Sequence, residues 1–356
     1  SWTVHRAVAG THDPFDRWVD QPGAFVVTAG LTGALDVAVL AAVVGAGPSP
    51  SAARVVVGKA LALTVAGAAR LLSYRIALVD ETRRGLARRA RPGPAAGELR
   101  LTVVVPAYDE ERRIGASVRR IVEAVTSVDV DGGAEVLVVD DGSHDATAAE
   151  AAAAGARVVS LPVNRGKGAA VREGVLAARG RTIAFVDADL AYPPEQVLTL
   201  LEEVEAGWDV VVGSRRHAGS VDVVRPTLVR SLSGRLFNLL TAVVLLGRYR
   251  DTQCGFKAFR ADVGRLIFSR TRVEGFAFDV ELFHLVERYR LSLTEVPVTL
   301  VAATGSTVRV GADALRMVGD LFRVRRWSAQ GAYDVTPLVG ASGAVRPLAD
   351  QLESEH

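Results

Sequence analysis

Short runs of apolar residues that end in polar residues recur through the middle of the chain. They lie at 101–108, 134–143, 156–162, 182–189 and 209–215. Stretches with helical composition separate them, at 110–125, 145–154, 167–178 and 194–206. Continuous apolar strands that alternate with helices are typical of a mostly parallel sheet with helices on both faces. The pattern therefore predicts an α/β domain, in which ligands bind at the carboxyl ends of the strands.

Two longer apolar segments precede this domain. Residues 23–47 contain one charge, Asp36, and residues 52–72 contain three, among them Lys59. Each segment is close to the roughly 20 residues that a helix needs to cross a bilayer. The pattern predicts a transmembrane hairpin at 23–74, in which the Asp and the Lys lie at similar depth and can pair. A soluble pair of Ala- and Val-rich helices is the alternative.

Arginines are concentrated after the second apolar segment. They are Arg75, Arg83, Arg84, Arg88, Arg89 and Arg91. By the positive-inside rule, this basic linker at 75–99 and everything after it are cytoplasmic. Two spans return the N-terminal segment, residues 1–22, to the same side. The chain is therefore expected to be a multi-pass protein of the cell inner membrane with its main domain in the cytoplasm.

Composition adds three limits. The 42 Lys and Arg nearly balance the 40 Asp and Glu, so charge does not indicate a nucleic-acid partner. A mean hydropathy of +0.23 is high for a soluble domain, and much of the excess lies in the N-terminal segments. A single cysteine, Cys254, excludes an internal disulfide and is consistent with a reducing compartment.

Two aspartates, Asp187 and Asp189, close the predicted strand 182–189. In an extended backbone, residues two apart face the same side, so their carboxylates are expected to lie together. Carboxylates that close repel unless a cation lies between them or one is protonated. Mg²⁺ typically takes one or two protein carboxylates and shares the phosphates of a substrate. The pair therefore indicates a divalent-cation site, with a solvated strand end as the alternative.

Two other strand ends carry candidate chemistry. Asp140 and Asp141 close the second strand, and Gly142 then allows a tight turn before a helix cap, which accounts for part of this pattern. Further on, Arg165 and Lys167 lie among glycines where a helix is predicted to begin, and helix N-termini are suited to anions.

Two segments near the C-terminus of the domain suit a membrane surface. Residues 236–247 are apolar but too short to span a bilayer. Residues 311–327 are expected to form an amphipathic membrane-proximal helix, or alternatively a helix packed on the domain. Residues 328–356 are polar and contain Gly and Pro, so a mobile tail is expected there.

Seven stretches, taken in order, resemble the blocks of the family 2 glycosyltransferases. They are VVVPAYDEE, VLVVDDGSHDAT, NRGKGAAVREG, FVDADLAYPPE, VVVGSR, DTQCGFKAFR and GFAFDVEL, within residues 100–310. The set is similar to the polyprenyl-phosphate glycosyl synthases. Within these, DTQCGFK and AFDVEL look most like the dolichyl-phosphate glucosyltransferases, which use UDP-glucose. The N-terminal hairpin is similar to the small GtrA-like membrane proteins, although it is shorter.

The resemblance implies a GT-A fold, which is a Rossmann-like, mostly parallel sheet. It also implies inverting transfer of a hexose from a nucleotide sugar to the phosphate of a polyprenyl-phosphate carrier, on the cytoplasmic face and with Mg²⁺ or Mn²⁺. UDP-glucose is the expected donor, with UDP-N-acetylhexosamine and GDP-mannose as alternatives. A non-catalytic membrane adaptor for lipid-linked sugar translocation is the alternative of another class. The sequence leaves open whether the chain forms a homo-oligomer.

The resemblance also assigns residues. Those expected to bind the nucleotide sugar are Pro106, Ala107, Tyr108, Glu110, Asp140, Lys167, Asp187, Ala188 and Asp189, with Asp187 and Asp189 as the metal site. Those expected to face the acceptor or the sugar are Arg215, Arg225, Arg230, Asp251, Gln253, Asp279 and Glu281. Catalysis is assigned to Asp187, Asp189, Arg215 and Arg230. Two departures from the family pattern stand out, because Ala191 replaces a frequent Gln and Arg309 a usual Lys.

The expected acceptor sets the chemistry of the site. A phosphate monoester has its second pKa at about 6 and arrives ionised, so it needs no strong general base. It needs positive charge that holds two anions close together, which arginine suits through bidentate contacts. Two other enzyme classes fit poorly. A processive polysaccharide synthase would show Gln-x-x-Arg-Trp, where this chain has Arg323 in place of the Gln. A sugar nucleotidyltransferase would have a glycine-rich loop after the first strand.

Overall fold

The computed structural model divides the chain into two compact units, Ser1–Arg84 and Gly85–His356. Within them it describes residues 22–44, 52, 55–67, 69, 94–126, 132–215, 217, 219–222, 254–301 and 312–334.

In the first unit, helix α1 spans Pro22–Val44 and a second helical stretch covers 55–67. The two pack closely, because a Cβ on Gly58 would lie 3.1 Å from a methyl group of Val43. Lys59 Nζ lies 3.7 Å from Asp36 Oδ2, which confirms the predicted pairing. None of the helices in the described part of the chain combines the length and apolar character that a bilayer crossing requires. The transmembrane hairpin therefore stays a prediction.

The second unit is the α/β domain. Its strands are β1 (Leu99–Ala107), β2 (Ala134–Asp140), β3 (Arg157–Ser160), β4 (Gly180–Val186), β5 (Val210–Ser214), β6 (Val221–Asp222), β7 (Phe256–Arg260), β8 (Leu293–Pro297) and β9 (Thr299–Leu300). Its helices are α2 (Ile114–Thr126), α3 (Thr147–Ala153), α4 (Lys167–Ala177), α5 (Val197–Glu205), α6 (Ala261–Phe268), α7 (Phe278–Arg288) and α8 (Ala312–Ala329), with a 3₁₀ turn at Pro194–Gln196. The five strands predicted from the apolar runs are confirmed.

The main sheet of the described residues has the strand order β3-β2-β1-β4-β7-β5-β8. All neighbours pair in parallel except β7, which runs antiparallel to both β4 and β5. β6 and β9 form a separate parallel pair. The prediction of a mostly parallel sheet is confirmed, and the inserted β7 is an element that the apolar pattern did not predict.

Apolar side chains cover both faces of the sheet. Successive residues of a strand point to opposite faces, so Val103 and Val105 pack with α2 and α5, whereas Val104 packs with the side chains of α4 and α7. The predicted helices on both faces are therefore confirmed.

Helix α8 packs on the domain. Leu321 and Val324 on one face are fully buried in the core, whereas Phe322 on the other face is 62% exposed. A helix predicted at 311–327 is confirmed in its packed form, because every third or fourth residue contributes to the core. Its closeness to a membrane stays a prediction.

The predicted start of the mobile tail, residue 328, is too early. Residues 328–334 continue from α8, and the Tyr333 ring is fully buried in the core beside the α7 side chains. The Tyr289 hydroxyl donates to the Tyr333 carbonyl at 2.8 Å. A buried aromatic ring anchors this segment in spite of its polar composition. Residues 335–356 lie outside the described residues.

Candidate active site

The loops that follow β1 and β2 are joined by hydrogen bonds at the carboxyl edge of the sheet. Asp109 N donates to Ser143 Oγ at 2.9 Å, and His144 N donates back to Asp109 Oδ1 at 2.9 Å. Glu110 N donates to Thr147 Oγ1 at 2.7 Å. Asp109 adopts a φ of 52°, an uncommon conformation that these contacts hold in place. The two loops therefore form one preorganised rim.

The residues predicted to bind the nucleoside lie at this rim. Tyr108 is 40% exposed, and its ring meets His144 edge-on with ring centroids 6.2 Å apart. Pro106 is partly buried, whereas the Ala107 side chain is buried and its carbonyl accepts from Asp141 N at 2.8 Å. Tyr108 therefore offers the open aromatic surface, and Ala107 contributes its backbone to the edge of the rim.

Glu110 follows the rim into the turn before α2. It forms an ion pair with Arg113. Burial raises the pKa of Glu110, and the neighbouring Arg113 charge opposes that rise. Its side chain is mostly buried, and the nearby negative charge of Asp189 also raises the pKa of Glu110.

The two aspartates after β2 have different partners. Asp140 Oδ1 accepts from Ser143 N at 3.1 Å and so closes the turn after the strand. Asp141 Oδ1 accepts from Arg165 N at 2.9 Å, and its Oδ2 accepts from Gly166 N at 2.7 Å. Sequence reasoning selected Asp140 and missed that Asp141 anchors the loop before α4. The adjacent pair of aspartates gave no signal that distinguished them.

That anchored loop delivers Lys167, the first residue of α4, to the end of β4. Lys167 Nζ lies 2.6 Å from Asp187 Oδ1, and its side chain is 22% exposed. Burial lowers the pKa of Lys167, but the carboxylates of Asp187 and Asp279 more than offset it, so the pKa lies above its usual value. The predicted cation and the first predicted metal ligand are therefore in direct contact.

The second carboxylate is brought near by a turn, which corrects the predicted extended backbone over 182–189. β4 ends at Val186, Leu190 N donates to Asp187 O at 3.1 Å, and Leu190 has a φ of 46°. Ala191 N donates to Asp189 Oδ1 at 3.1 Å. A continued strand would have placed both carboxylates on one side of the sheet, whereas here the turn after Val186 keeps Asp189 near Asp187.

Helix α2 holds the middle residue of this turn. Ser117 Oγ donates to the Ala188 carbonyl at 2.6 Å, and both groups are buried. Burial raises the pKa of Asp189, the Asp187 carboxylate raises it further, and Lys167 lowers it. Asp189 opens onto a cavity of about 360 Å³, whose lining includes Arg113, Arg120, Leu190, Pro193 and Val301.

Asp187 is confined by strand β7. Phe185 pairs with Lys257 and Val186 with Phe256, so the next residues of the two strands, Asp187 and Gly255, meet just beyond the ladder. A Cβ on Gly255 would lie 2.6 Å from Asp187 Cγ and still nearer to its Oδ2. Only glycine leaves room for this carboxylate.

The two carboxylates at the end of β4 suit a divalent cation that binds together with the substrate. Asp187 and Asp189 supply hard oxygen ligands, and Ala191 supplies no side-chain ligand. In the part of the chain that the structure describes, no three His, Cys, Asp or Glu side chains converge as a closed metal site. Two carboxylates fit Mg²⁺ or Mn²⁺ ligation in which phosphate oxygens and water complete the shell.

A buried ion pair lies behind the site and was not predicted. Lys257 is fully buried on β7, with Nζ 2.8 Å from Asp279 Oδ1 and 2.5 Å from the Cys254 carbonyl. Its ammonium also lies 5.3 Å from the centroid of the Phe185 ring. Burial raises the pKa of Asp279, and the Lys257 and Lys167 charges oppose it. The sequence signal was a lysine inside the apolar run FKAF.

The remaining predicted site residues fall into two groups, those that the structure describes and those that lie outside the described residues. Asp279 lies close enough to Lys167 and Asp187 for their charges to interact, and Arg215 is exposed just after β5. Residues predicted for the acceptor or sugar that lie outside the described residues are Arg225, Arg230, Asp251 and Gln253, and Arg309 is outside them as well.

Glu281, which is predicted to border the sugar, makes structural contacts. It is fully buried and accepts from Arg272 N at 2.9 Å, from Val273 N at 2.8 Å and from the Tyr333 hydroxyl at 2.6 Å. These donors occupy both carboxylate oxygens. Glu281 therefore fixes the segment before α7 and the segment that follows α8.

Replacing Tyr333 with Phe tests this structural role. The variant removes a hydrogen bond to a buried carboxylate, so the free energy of unfolding should fall by about 1.5–3 kcal/mol. The kcat and KM of the folded protein should be unchanged. Tyr289→Phe is the matched control, since it removes a neutral hydrogen bond and should cost less, about 0.5–1.5 kcal/mol. A loss of activity without a loss of stability would return Glu281 to the sugar site.

Comparisons with known proteins agree with this geometry. The profile of Glycosyl transferase family 2 matches residues 102–267. A dolichyl-phosphate beta-glucosyltransferase of Drosophila melanogaster is 36% identical over 256 residues, which is 67% of this chain and 78% of the relative. The Homo sapiens protein of the same name is 32% identical over 249 residues, covering 65% of this chain and 77% of that one.

Among solved structures, a glucosyl-3-phosphoglycerate synthase from Mycobacterium tuberculosis in complex with Mn²⁺, UDP-glucose and phosphoglyceric acid has a TM-score of 0.49 and 25% identity. The match covers 73% of this chain and 86% of that chain. The two dolichyl-phosphate beta-glucosyltransferases named above, together with the paired aspartates at the strand end, establish the family. The chain is a glycosyltransferase and belongs to glycosyl transferase family 2.

Proposed function

We propose that this glycosyltransferase transfers glucose from UDP-glucose to the phosphate of a polyprenyl phosphate, with inversion at the sugar. The observation that carries the proposal is the cluster of Asp187, Asp189 and Lys167 at the end of β4, which has the charge pattern that a metal-bound nucleoside diphosphate requires. The printed names of the relatives, dolichyl-phosphate beta-glucosyltransferases, support the choice of sugar and acceptor.

The donor is expected to lie along the rim and the end of β4. Tyr108 offers an aromatic face to the base, and Glu110 lies further along the same rim. Asp187 and Asp189 would hold Mg²⁺ or Mn²⁺, which, when bound, stabilises the negative charge that develops on the departing diphosphate. Lys167 adds a fixed positive charge from the N-terminus of α4, on the side of Asp187.

The acceptor requires little proton chemistry. A phosphate monoester is largely ionised near neutral pH and attacks the anomeric carbon directly, so a single displacement inverts its configuration. The protein must then hold two anions in line. Arg215, at the end of β5, is proposed to contribute to this together with Arg225 and Arg230.

The proposal includes attachment to the inner membrane with the catalytic domain in the cytoplasm. Large apolar side chains of the N-terminal unit are exposed to more than half of their area, which supports an apolar surrounding for it. They are Leu31, Val37, Val56, Val57 and Leu63. Arginines that follow its second apolar segment in the sequence support the orientation.

Incubation of the purified full chain with a panel of nucleotide sugars and polyprenyl phosphate tests the proposal. We expect UDP-glucose to yield a glucosyl phospholipid, identified by mass, with release of UDP. EDTA should abolish the reaction, and added Mg²⁺ or Mn²⁺ should restore it, because Asp187 and Asp189 would otherwise face the diphosphate without a counter-charge. Preference for GDP-mannose or UDP-N-acetylhexosamine would overturn the donor, and transfer to a soluble acceptor instead of the lipid would overturn the acceptor.

A further inference from the structure

Lys257 is an unusual residue for the centre of a sheet. A fully buried ammonium is costly unless it is paired and hydrogen-bonded. Lys257 meets that requirement through Asp279 and the Cys254 carbonyl, at 2.8 and 2.5 Å. Aromatic rings of Phe185 and Phe283 lie 5.3 and 5.7 Å from its Nζ. The pair is thus well formed, but packing alone does not require it, since apolar residues can replace buried ion pairs at little cost.

The two partners of Lys257, Asp279 and the Cys254 carbonyl, each connect it with the donor site. Asp279 acts electrostatically on Lys167, the cation that contacts Asp187 at 2.6 Å. Charges therefore alternate from Lys257 through Asp279 and Lys167 to Asp187. Lys167 is thus subject to the negative charge of Asp279 as well as that of Asp187, and the Asp279 carboxylate is bound by Lys257.

The second route is through the backbone. Lys257 Nζ holds the carbonyl of Cys254, the residue before Gly255. Gly255 in turn lies so close to Asp187 that even a Cβ would collide with the carboxylate. A shift of this short segment would therefore change the space that Asp187 occupies.

We propose that Lys257 is a positioning residue for donor binding, which acts through Asp279 and the Cys254 carbonyl to hold Lys167 and Asp187 ready for the diphosphate. The inference rests on the proposed function for the identity of the donor. Lys257 itself is fully buried, so its role is indirect.

A pair of variants separates positioning from stability. Lys257→Met alone leaves Asp279 as a buried unpaired charge, and Tm should fall by roughly 10 °C. Lys257→Met with Asp279→Asn removes both charges, and Tm should return close to that of the wild type. In the double variant, the Kd for UDP with Mn²⁺ should nevertheless stay raised by roughly 10- to 100-fold, the range for lost supporting contacts around a metal site. UDP is used because it carries no sugar for Asp279 to contact.

The same strand offers a matched control. Arg260 at the other end of β7 pairs with Asp262 at 3.1 Å, and the pair is mostly buried. Arg260→Met with Asp262→Asn removes a comparable pair away from the β4 carboxyl end, so its Kd for UDP should equal that of the wild type. KM for polyprenyl phosphate should also stay unchanged in this control variant.

Wild-type UDP affinity in the folded Lys257→Met, Asp279→Asn variant would overturn the proposal and leave the pair a purely structural one. If Lys257→Met does not fold, the double variant still decides between a positioning role and a purely structural one. Wild-type protein that binds GDP instead of UDP would contradict the proposed donor, and the same comparison of variants, made with GDP, would then decide the role of Lys257.

Discussion

Asp189→Asn is expected to lower kcat/KM for glycosyl transfer by roughly 10²–10³-fold, the loss typical when one charge-stabilising group is removed from a transition state. The fold should be unaffected, because the Asn side-chain oxygen can still accept from Ala191 N. Transfer rates over a range of Mn²⁺ concentrations, together with Tm, measure both expectations.

Glu202→Gln is the control for this experiment. Glu202 is an exposed carboxylate on α5, and its replacement changes net charge by the same amount. Its activity should match that of the wild type. Asp189→Asn with normal turnover at saturating Mn²⁺ would remove Asp189 from the metal site.

Gly255→Ala is expected to lower transfer by roughly 100-fold and to cost about 1–3 kcal/mol in stability, the range for overpacking in a dense site. The added methyl group would lie 2.6 Å from Asp187 Cγ, so the carboxylate must leave its place beside Lys167. Single-turnover rates and denaturant unfolding separate the two effects.

Gly275→Ala is the matched substitution, because nothing lies within 4 Å of a Cβ at that position. It should retain both activity and stability. If Gly255→Ala proved as active as Gly275→Ala, the confined position of Asp187 would have no part in catalysis.

The apolar pattern was sufficient for the parallel core of the sheet. β1, β2 and β4 are continuous apolar runs because both of their faces are covered, and such runs are visible in a sequence. β7 was not predicted because Lys257 interrupts a strand of only five residues, and its partner Asp279 lies on a helix 22 residues further along the chain. Periodicity reports burial, but it does not report which buried charge will find a counter-charge.

The site was predictable in its chemistry and less so in its geometry. Asp187, Asp189 and Lys167 were selected as charged residues at strand and helix ends, and the structure brings them together. The turn after Val186 was not visible, because Leu190 carries no sign of a positive φ. Glu281 was assigned to the sugar by resemblance, yet its acceptors are satisfied by backbone amides and a tyrosine 52 residues away.

The antiparallel course of β7 has a consequence for how such an enzyme diversifies. Because β7 runs opposite to β4 and β5, its first residue lies at the same edge of the sheet as their last residues. Cys254 and Gly255, which precede β7, therefore lie beside the end of β4, where Asp187 follows the strand. A substitution in this short segment changes the space at the site while every strand register stays intact. Natural selection can thus adjust the site through the residues before β7 without rebuilding the sheet that carries it.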